Sequence, residues 1–235
     1  MNEMTNTPAV SVVVPVFNEE ENMSILQSEL TTALAGRDYE IIFVDDGSSD
    51  RTVAKTQSSP RVRTLRFEEN RGQSAAIYAG VNAARGATIV LIDGDLQNDP
   101  ADIPKLLDEI ERGADLVCGY RAHRKDTIVK RLTSRVANFV RSRFTKDYVR
   151  DTGCTLKAMR RECVVALVPF KGMHRFIPAL IKGAGFSLVE IPVNHRARRF
   201  GLSKYGFGNR ALRATIDMFG VRWLLSRQLN YKLRK

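Results

Sequence analysis

The chain has 235 residues, 43% of them hydrophobic, which suffices for the core of one domain or of one domain with an appendage. Its formal net charge is +11, and it contains neither a run of roughly 18 apolar residues, as a membrane-spanning helix needs, nor an N-terminal signal pattern. The three Cys have no paired spacing, which argues against a zinc site or a disulfide framework and fits a reducing compartment.

The first 120 residues alternate between strand-like and helix-like segments. Apolar or alternating runs predict strands at Val10–Val16, Tyr39–Val44, Arg61–Phe67, Thr88–Ile92 and Asp115–Tyr120. Helices are predicted from Asn18 to about Ala35, in a short segment ending near Gln57, and at Gln73–Ala84 and Pro100–Arg112. Five alternations with short connections predict an α/β fold, with a largely parallel central sheet flanked by helices.

The second half of the chain has a different pattern. Apolar residues at helical spacing among Arg and Lys predict a helix at Thr127–Phe144, and Asp151–Thr155 is a turn into a short strand. Helices at Arg161–Leu167 and Arg175–Lys182, a strand at Ser187–Val193 and a basic loop at Arg196–Tyr205 follow. A last helix, from Gly208 to about Tyr231, has an apolar stripe formed by Leu212, Ile216, Phe219, Trp223 and Leu224.

The positive charge lies in two segments. Residues 119–145 have a net charge of +7 and residues 196–235 of +10, so that the remainder has a net charge of −6. A mildly acidic body with two basic segments indicates a localised anionic partner. By charge alone, nucleic acid, acidic lipid and a phosphorylated substrate all remain possible.

Polar side chains follow three of the predicted strands. Asn18-Glu19, Asp45-Asp46 and the pair Asp93 and Asp95 all lie where a strand ends. In isolation, a turn or a helix cap explains each of them about equally well. Ligands of parallel sheets bind at the carboxyl ends of the strands, so three such clusters at one edge predict a binding site there.

Asp93 and Asp95 are separated by one glycine. Two carboxylates this close repel each other unless a cation or hydrogen-bond donors neutralise them. Oxygen ligands suit Mg²⁺ or Mn²⁺, which can bridge a diphosphate, and Gln97 could supply a third oxygen. The pair therefore predicts a metal site for a phosphorylated ligand.

The sequence lacks the motifs of several other enzyme classes. No Gly-x-Gly-x-x-Gly follows the first strand and no Gly-x-x-x-x-Gly-Lys-Ser/Thr occurs, which disfavours dinucleotide oxidoreductases and P-loop enzymes. There is no Gly-x-Ser-x-Gly nucleophile turn, and the three His have no metal-binding spacing.

Four ordered motifs resemble those of family 2 glycosyltransferases: Val13–Glu20, Val44–Asp50, Asn70–Gln73 and Asp93–Gln97. More narrowly, the chain is similar to the polyprenyl-phosphate glycosyltransferases, which include dolichyl-phosphate mannosyltransferase and bacterial undecaprenyl-phosphate enzymes. The similarity continues through Gly119–Arg121, Ser134-Arg135, Asp151–Gly153 and Gly201–Tyr205. It spans about residues 10–205.

The resemblance implies the nucleotide-sugar fold called GT-A over residues 8–205, an inverting reaction and Mg²⁺ or Mn²⁺ as cofactor. Residues 206–235 would form an amphipathic, basic helical extension. The implied nucleotide-sugar contacts are Pro15, Phe17, Glu19, Asp46, Gln73 and Asp93. The implied metal ligands are Asp93, Asp95 and Gln97. The implied acceptor-phosphate contacts are Arg121, Ser134, Arg135, Arg199, Ser203 and Lys204, and the implied catalytic residues are Asp95, Arg121 and Arg135.

The chemistry of a lipid phosphate acceptor is consistent with this resemblance. A phosphate monoester has a second pKa near 6, so at neutral pH it is already a nucleophile and needs no general base. The enzyme must position two anions and offset their repulsion, which the metal and the basic segments would do. Three alternatives stay open: a family 2 enzyme with a hydroxyl acceptor, a nucleic-acid-binding protein, and a non-catalytic scaffold with the same fold.

Many bacterial relatives of this type continue into membrane-spanning helices, and no such run follows in this chain. An apolar stripe with Trp223 and several Arg suits a helix that lies on an anionic membrane surface, and packing against the domain explains the stripe equally well. We therefore expect a peripheral protein at the cytoplasmic face of the membrane that does not bind nucleic acid. Whether an integral membrane protein is a further partner stays open.

Overall fold

The computed structural model describes residues 7–122, 141–200 and 208–228, with the backbone alone at 208–213. The strands are β1 Val10–Val16, β2 Tyr39–Asp45, β3 Val62–Arg66, β4 Thr88–Leu91, β5 Leu116–Arg121, β6 Lys157–Arg160 and β7 Leu188–Val193. The α-helices are α1 Met23–Ala33, α2 Gln73–Ala83, α3 Ile103–Glu111, α4 Ile177–Gly183 and α5 Gly208–Ser226. Residues 141–145 are also helical, and 3₁₀ turns lie at Val53–Lys55, Pro100–Asp102, Arg161–Ala166 and Met173–Arg175.

The strands form one seven-stranded sheet in the order β3-β2-β1-β4-β6-β5-β7. Strand β6 runs antiparallel to both of its neighbours, β4 and β5, whereas the other neighbouring pairs are parallel. The predicted α/β class with a largely parallel sheet is therefore confirmed. The insertion of a strand from the second half of the chain between β4 and β5 was not predicted.

Helices cover both faces of the sheet, and β1 is therefore buried along its whole length. Val12 and Val14 belong to one hydrophobic cluster, which α1 and α3 complete. Val13 belongs to a second cluster on the opposite face, which α2, α4 and α5 complete. An apolar strand without polar alternation is the pattern of a strand buried on both faces.

The first helix starts five residues later than predicted, at Met23 instead of Asn18. Asn18 has a φ of +51°, which lies in the left-handed region and ends the extended backbone without beginning a helix. Its side-chain Oδ1 accepts a hydrogen bond from the Ser49 backbone N–H at 2.9 Å, and the Glu19 N–H donates to Thr52 Oγ1 at 2.8 Å. These polar residues therefore connect the ends of β1 and β2.

Strands β1 and β4 separate at their carboxyl ends. β1 pairs with β2 as far as Val16 but with β4 only as far as Val13. Pro15 has no N–H and so cannot donate to a longer ladder. Gly94 then passes close to β1, since a Cβ there would lie 2.8 Å from Val16 Cγ1. The strand order reverses between β1 and β4, which is where doubly wound sheets bind ligands.

Helix α5 packs on the domain through Met218 and Val221, which are buried. Three residues of its predicted apolar stripe point outward instead: Ile216, Phe219 and Trp223 are 62%, 56% and 64% exposed. For these three, packing against the domain, one of the two alternatives for the stripe, is not what the structure shows. Within the described ranges, no helix combines the length and hydropathy needed to cross a bilayer.

The Glu40 carboxylate joins three strands and the segment after α2. It is 2% exposed and accepts hydrogen bonds from Ser11 Oγ and the Arg85 backbone N–H, both at 2.7 Å, and from Arg63 Nε at 3.0 Å. Burial opposes ionisation, but the hydrogen bonds from Ser11, Arg85 and Arg63 lower the pKa of Glu40 below its usual value.

We expect Glu40→Gln to lower the free energy of unfolding by about 1–3 kcal/mol at pH 7, because an amide leaves buried donors without an acceptor. Urea denaturation measures this loss. Glu111→Gln is the control, since Glu111 pairs with Arg37 at the surface and should cost less than about 1 kcal/mol. Because the pKa of Glu40 is lowered, its contribution should be complete above about pH 4.5 and decline as the pH falls through that lowered pKa. Equal losses in both variants would contradict this role.

Candidate active site

A pocket of about 540 Å³ lies at the carboxyl ends of β1, β2 and β4, and its volume is in the range of small-molecule sites. All six residues predicted to contact a nucleotide-sugar lie on its wall, and so does Asp95. The six are Pro15, Phe17, Glu19, Asp46, Gln73 and Asp93. They come from three strand ends and the start of α2. The prediction that the polar clusters converge at one sheet edge is therefore confirmed.

Asp93 is fixed from two sides of the pocket. Its Oδ1 accepts a hydrogen bond from Gln73 Nε2 at 2.8 Å, and its Oδ2 accepts one from Thr155 Oγ1 at 2.6 Å. Burial raises the pKa of Asp93 to about 6, opposed by the Thr155 hydrogen bond and the Lys157 charge and assisted by the Asp95 charge. Both carboxylate oxygens thus have a set orientation before any ligand binds.

Asp95 pairs with an arginine that the sequence did not single out. Its Oδ2 lies 2.7 Å from Arg198 Nη2, and its Oδ1 accepts the Gln97 N–H at 3.1 Å. Arg198 lies on the pocket wall, whereas Arg199, which the resemblance implied, is exposed and outside the wall. Arg198, and not Arg199, is therefore the arginine that the structure places beside the acidic pair, and the role of Arg199 at an acceptor phosphate stays a prediction.

The acidic pair suits a divalent metal whose coordination is completed by oxygen atoms of the bound ligand. Gln97 orients Asp95 through its backbone, but its side chain is not on the pocket wall, so its role as a ligand stays a prediction. No group of three His, Cys, Asp or Glu in the described part of the chain could hold a metal alone. Mg²⁺ commonly uses one or two carboxylates and takes its other oxygens from phosphates and water, and this donor set fits that use.

The β1 and β2 side of the pocket is polar and hydrogen-bonded. Asp46 Oδ1 accepts the Arg71 N–H at 2.7 Å, and its Oδ2 accepts the Gly72 N–H at 2.9 Å. Burial raises the pKa of Asp46 despite these hydrogen bonds. Glu19 accepts a hydrogen bond from Asn22 Nδ2 at 2.6 Å. Each carboxylate keeps lone pairs that a ribose or a base can use.

The opposite wall carries basic side chains that sequence reasoning missed. Lys157, the first residue of β6, is only 2% exposed, and His174 Nδ1 lies 2.8 Å from Ser74 Oγ. Arg175 lines the pocket too and lies 4.0 Å from Asp217 of α5. None of these residues belongs to a motif. The placement of β6 beside β4 brings Lys157 to the acidic pair, and the 3₁₀ turn at Met173–Arg175 brings the other two to the pocket wall.

Arg121 does not reach the pocket wall. Its Nε and Nη2 lie 2.6 Å and 2.8 Å from the two carboxylate oxygens of Asp151. In this structure the guanidinium group therefore binds a carboxylate and is not arranged to bind an acceptor phosphate. The bidentate pair is largely buried and holds the turn that carries Gly153. The other implied acceptor contacts, Ser134, Arg135, Ser203 and Lys204, lie outside the described residues.

Comparison with known proteins shows relatives over most of the chain. It is 37% identical over 244 residues to dodecaprenyl-phosphate galacturonate synthase of Rhizobium johnstonii, covering 99% of this chain and 71% of that protein. It is 39% identical over 212 residues to undecaprenyl-phosphate 4-deoxy-4-formamido-L-arabinose transferase of Yersinia enterocolitica, covering 87% of this chain. The chain spans 65% of the length of that transferase, which is less than two thirds.

The fold is similar to solved structures of glucosyl-3-phosphoglycerate synthase from Mycobacterium tuberculosis. The complex of that enzyme with Mg²⁺ and uridine diphosphate has a TM-score of 0.70 and 22% identity, over 92% of this chain and 79% of that chain. A complex with Mn²⁺, uridine diphosphate and phosphoglyceric acid has a TM-score of 0.71 and 20% identity, over 95% and 80% of the two chains. At this identity the likeness shows the fold alone, and it confirms the expected GT-A architecture.

Residues 11–167 match the sequence profile of the family described as glycosyl transferase family 2. That range contains the four ordered motifs and every strand that borders the pocket. The chain therefore belongs to glycosyl transferase family 2 and is a glycosyltransferase.

Proposed function

We propose that the protein transfers a sugar, with inversion, from a GDP- or UDP-linked donor to a polyprenyl phosphate. One observation carries the proposal: a single pocket joins the residues expected to bind a nucleotide to an acidic pair and to a wall of cations. The names of two relatives, a dodecaprenyl-phosphate galacturonate synthase and an undecaprenyl-phosphate formamido-arabinose transferase, support the acceptor class.

The donor would lie along the pocket from β2 toward β6. Phe17 and Glu19 at the end of β1, with Asp46 at the end of β2, suit the base and the ribose. Asp95 would hold Mg²⁺ or Mn²⁺ together with the donor diphosphate, while Gln73 and Thr155 keep Asp93 oriented beside it. The metal, when bound, would stabilise the negative charge that develops on the leaving diphosphate.

The cation wall would serve the reacting groups. In the transfer, an acceptor phosphate oxygen forms a bond to the anomeric carbon as the bond from that carbon to the nucleoside diphosphate breaks. Both partners are anions, so positive side chains must offset their repulsion. Arg198 and Lys157 lie on the wall beside the acidic pair, and we assign them this role. Arg198 would exchange its contact with Asp95 for one with a phosphate when the metal binds.

A hydroxyl acceptor is the alternative, and the acceptor assay separates the two. The purified protein is given a labelled nucleotide-sugar and either a polyprenyl phosphate or a sugar alcohol. We expect a labelled lipid product, resistant to base and labile to mild acid. Transfer to the sugar alcohol with no lipid product would refute the proposed acceptor class and leave the family membership intact.

We expect Asp95→Ala to lower the rate of metal-dependent transfer roughly 100-fold or more, because a charge-stabilising group at the diphosphate is lost. Asp108→Ala is the matched control, since Asp108 is a half-exposed carboxylate on α3 and should leave the rate unchanged. Turnover of Asp95→Ala at the wild-type rate would remove Asp95 from the site.

We expect the correct donor to raise the melting temperature only when Mn²⁺ is present, because Asp95 and the diphosphate would share the ion. A free donor concentration of about 100 times its Kd should add about 2.7 kcal/mol of stability. A thermal-shift series with GDP- and UDP-sugars, repeated with a chelator, measures this and identifies the nucleotide. A shift that survives the chelator would contradict metal-assisted donor binding.

We further propose that the outward face of α5 rests on the cytoplasmic surface of the membrane, where a polyprenyl phosphate is available. The exposed Ile216, Phe219 and Trp223 form an apolar face, and Arg222 on the same helix and Arg227 directly after it are exposed. Apolar and aromatic residues combined with Arg are typical of interfacial helices.

We expect Phe219→Ser/Trp223→Ser to reduce sedimentation with anionic vesicles about tenfold or more, because two aromatic side chains no longer enter the interface. Val165→Ser is the control, since Val165 is 84% exposed but lies outside α5. Donor binding by thermal shift should be unchanged in each variant. Unaltered sedimentation of the double variant would exclude α5 as the contact.

A further inference from the structure

A second cleft, separate from the active site, lies at the end of α5. It has a volume of about 320 Å³ and shares no lining residue with the active-site pocket. Its walls come from the end of α4, from residues 144–146 and from the last turns of α5. Lys146, Lys182 and Arg222 each contribute a cation to it.

Within the part of the chain that the structure describes, the charges of these three residues are not compensated by carboxylates. Lys182 Nζ donates to the Asp147 backbone oxygen at 3.1 Å, and Arg222 Nη1 donates to the Phe144 backbone oxygen at 3.1 Å. Among the described residues, no carboxylate lies within salt-bridge distance of any of the three. Three positive charges that face one concavity attract an anion.

Aromatic side chains lie in the cleft or on the segments that form its walls. Phe144 lines it and packs edge-on against Phe219 of α5, with ring centroids 5.3 Å apart. Trp223 follows Arg222 and is 64% exposed. Tyr148 is 63% exposed and its ring lies 5.3 Å from Lys182 Nζ. Trp and Tyr at the level of lipid headgroups, beside cations, are characteristic of membrane interfaces.

The backbone next to the cleft adopts an unfavourable conformation at Lys146 and Tyr148, which directs both side chains outward. Lys146 and Tyr148 have φ angles of +57° and +58°, a region that costs energy for residues other than glycine. Asp147 between them is buried and pairs with Arg141. The turn thus buries one anion and directs a cation and an aromatic ring outward.

We propose that this cleft binds the phosphate headgroup of an anionic membrane lipid and so orients the enzyme on the bilayer. The proposal rests on the membrane location proposed above but concerns a site distinct from the substrate pocket. The three cations supply the charge for a phosphodiester, and the aromatic side chains on the same segments suit a position at headgroup depth. A free phosphate in water would make no use of these aromatic side chains.

Trp223 provides the readout, because it is the single Trp of the chain and adjoins Arg222. The probe is dihexanoyl-phosphatidylglycerol at concentrations where it is monomeric. We expect a saturable change in Trp223 fluorescence. Dihexanoyl-phosphatidylcholine and inorganic phosphate at the same concentrations should give none. An equal response to inorganic phosphate, or to the neutral lipid, would overturn the assignment.

The variant Lys146→Gln/Lys182→Gln should weaken this response about tenfold or more, since each cation near an anionic headgroup contributes roughly 1 kcal/mol, a factor of about five. Lys55→Gln/Arg112→Gln is the matched control. It removes the same net charge from exposed residues beside α1 and α3, which pack on the opposite face of the sheet. An equally large loss in the control pair would show that the net charge of the protein, and not the cleft, attracts the lipid, and it would contradict the proposed site.

Two further measurements separate the possible failures. Melting curves verify that the double variant is folded, and Lys146→Gln alone serves as the second variant if it is not. Wild-type protein that binds neutral and anionic vesicles equally would refute the cleft while leaving the membrane location intact. Failure to bind any vesicle would refute both. Donor binding, measured by thermal shift, tests the proposed transferase activity independently.

Discussion

The separation of β1 from β4 after Val13 is the constraint on which the rest of the site depends. Pro15 cannot donate to a ladder, and the missing side chain of Gly94 lets the segment after β4 pass Val16 closely. The strand ends therefore open into a pocket instead of continuing as sheet. Because the pocket lies where the strand order reverses, each of the segments that follow β1, β2 and β4 contributes residues to its wall.

Asp93 links this opening to the second half of the chain. Its carboxylate would be costly to bury alone, and the raised pKa reflects that cost. Gln73 from α2 and Thr155 from the segment before β6 offset it with two hydrogen bonds. The same placement of β6 brings Lys157 into the wall. The segment that leads into the antiparallel strand beside β4 thus stabilises one partly buried carboxylate, and that strand supplies Lys157 to the basic side of the pocket.

The acidic side of the site was predictable from the sequence, and the basic side was not. Strand ends are visible as polar residues after apolar runs, so Glu19, Asp46 and Asp93 could be placed at one edge without coordinates. Lys157 and His174 lie in segments with no motif, and their position depends on a long-range pairing that periodicity does not reveal. Arg198 and Arg199 are neighbours with the same side chain, and only the path of the loop decides which one meets Asp95. Likewise, the helix predicted from Asn18 fails because that residue bonds across to the loop after β2.

Some cations of this protein are paired with buried carboxylates and stabilise the fold, whereas the cations of the second cleft have no such partner among the described residues and are available to bind a ligand. Arg121 and Arg141 are bound by Asp151 and Asp147 in buried pairs, so their charge is used within the fold. Lys146, Lys182 and Arg222 face a cleft without a carboxylate partner among the described residues, so their charge is open to an external anion. Arg175 lines the active-site pocket and lies near Asp217 of α5, so the helix that carries Arg222 and Trp223 also contacts the wall of the donor site. A membrane that fixes α5 would therefore set the orientation of the pocket toward a lipid-borne acceptor.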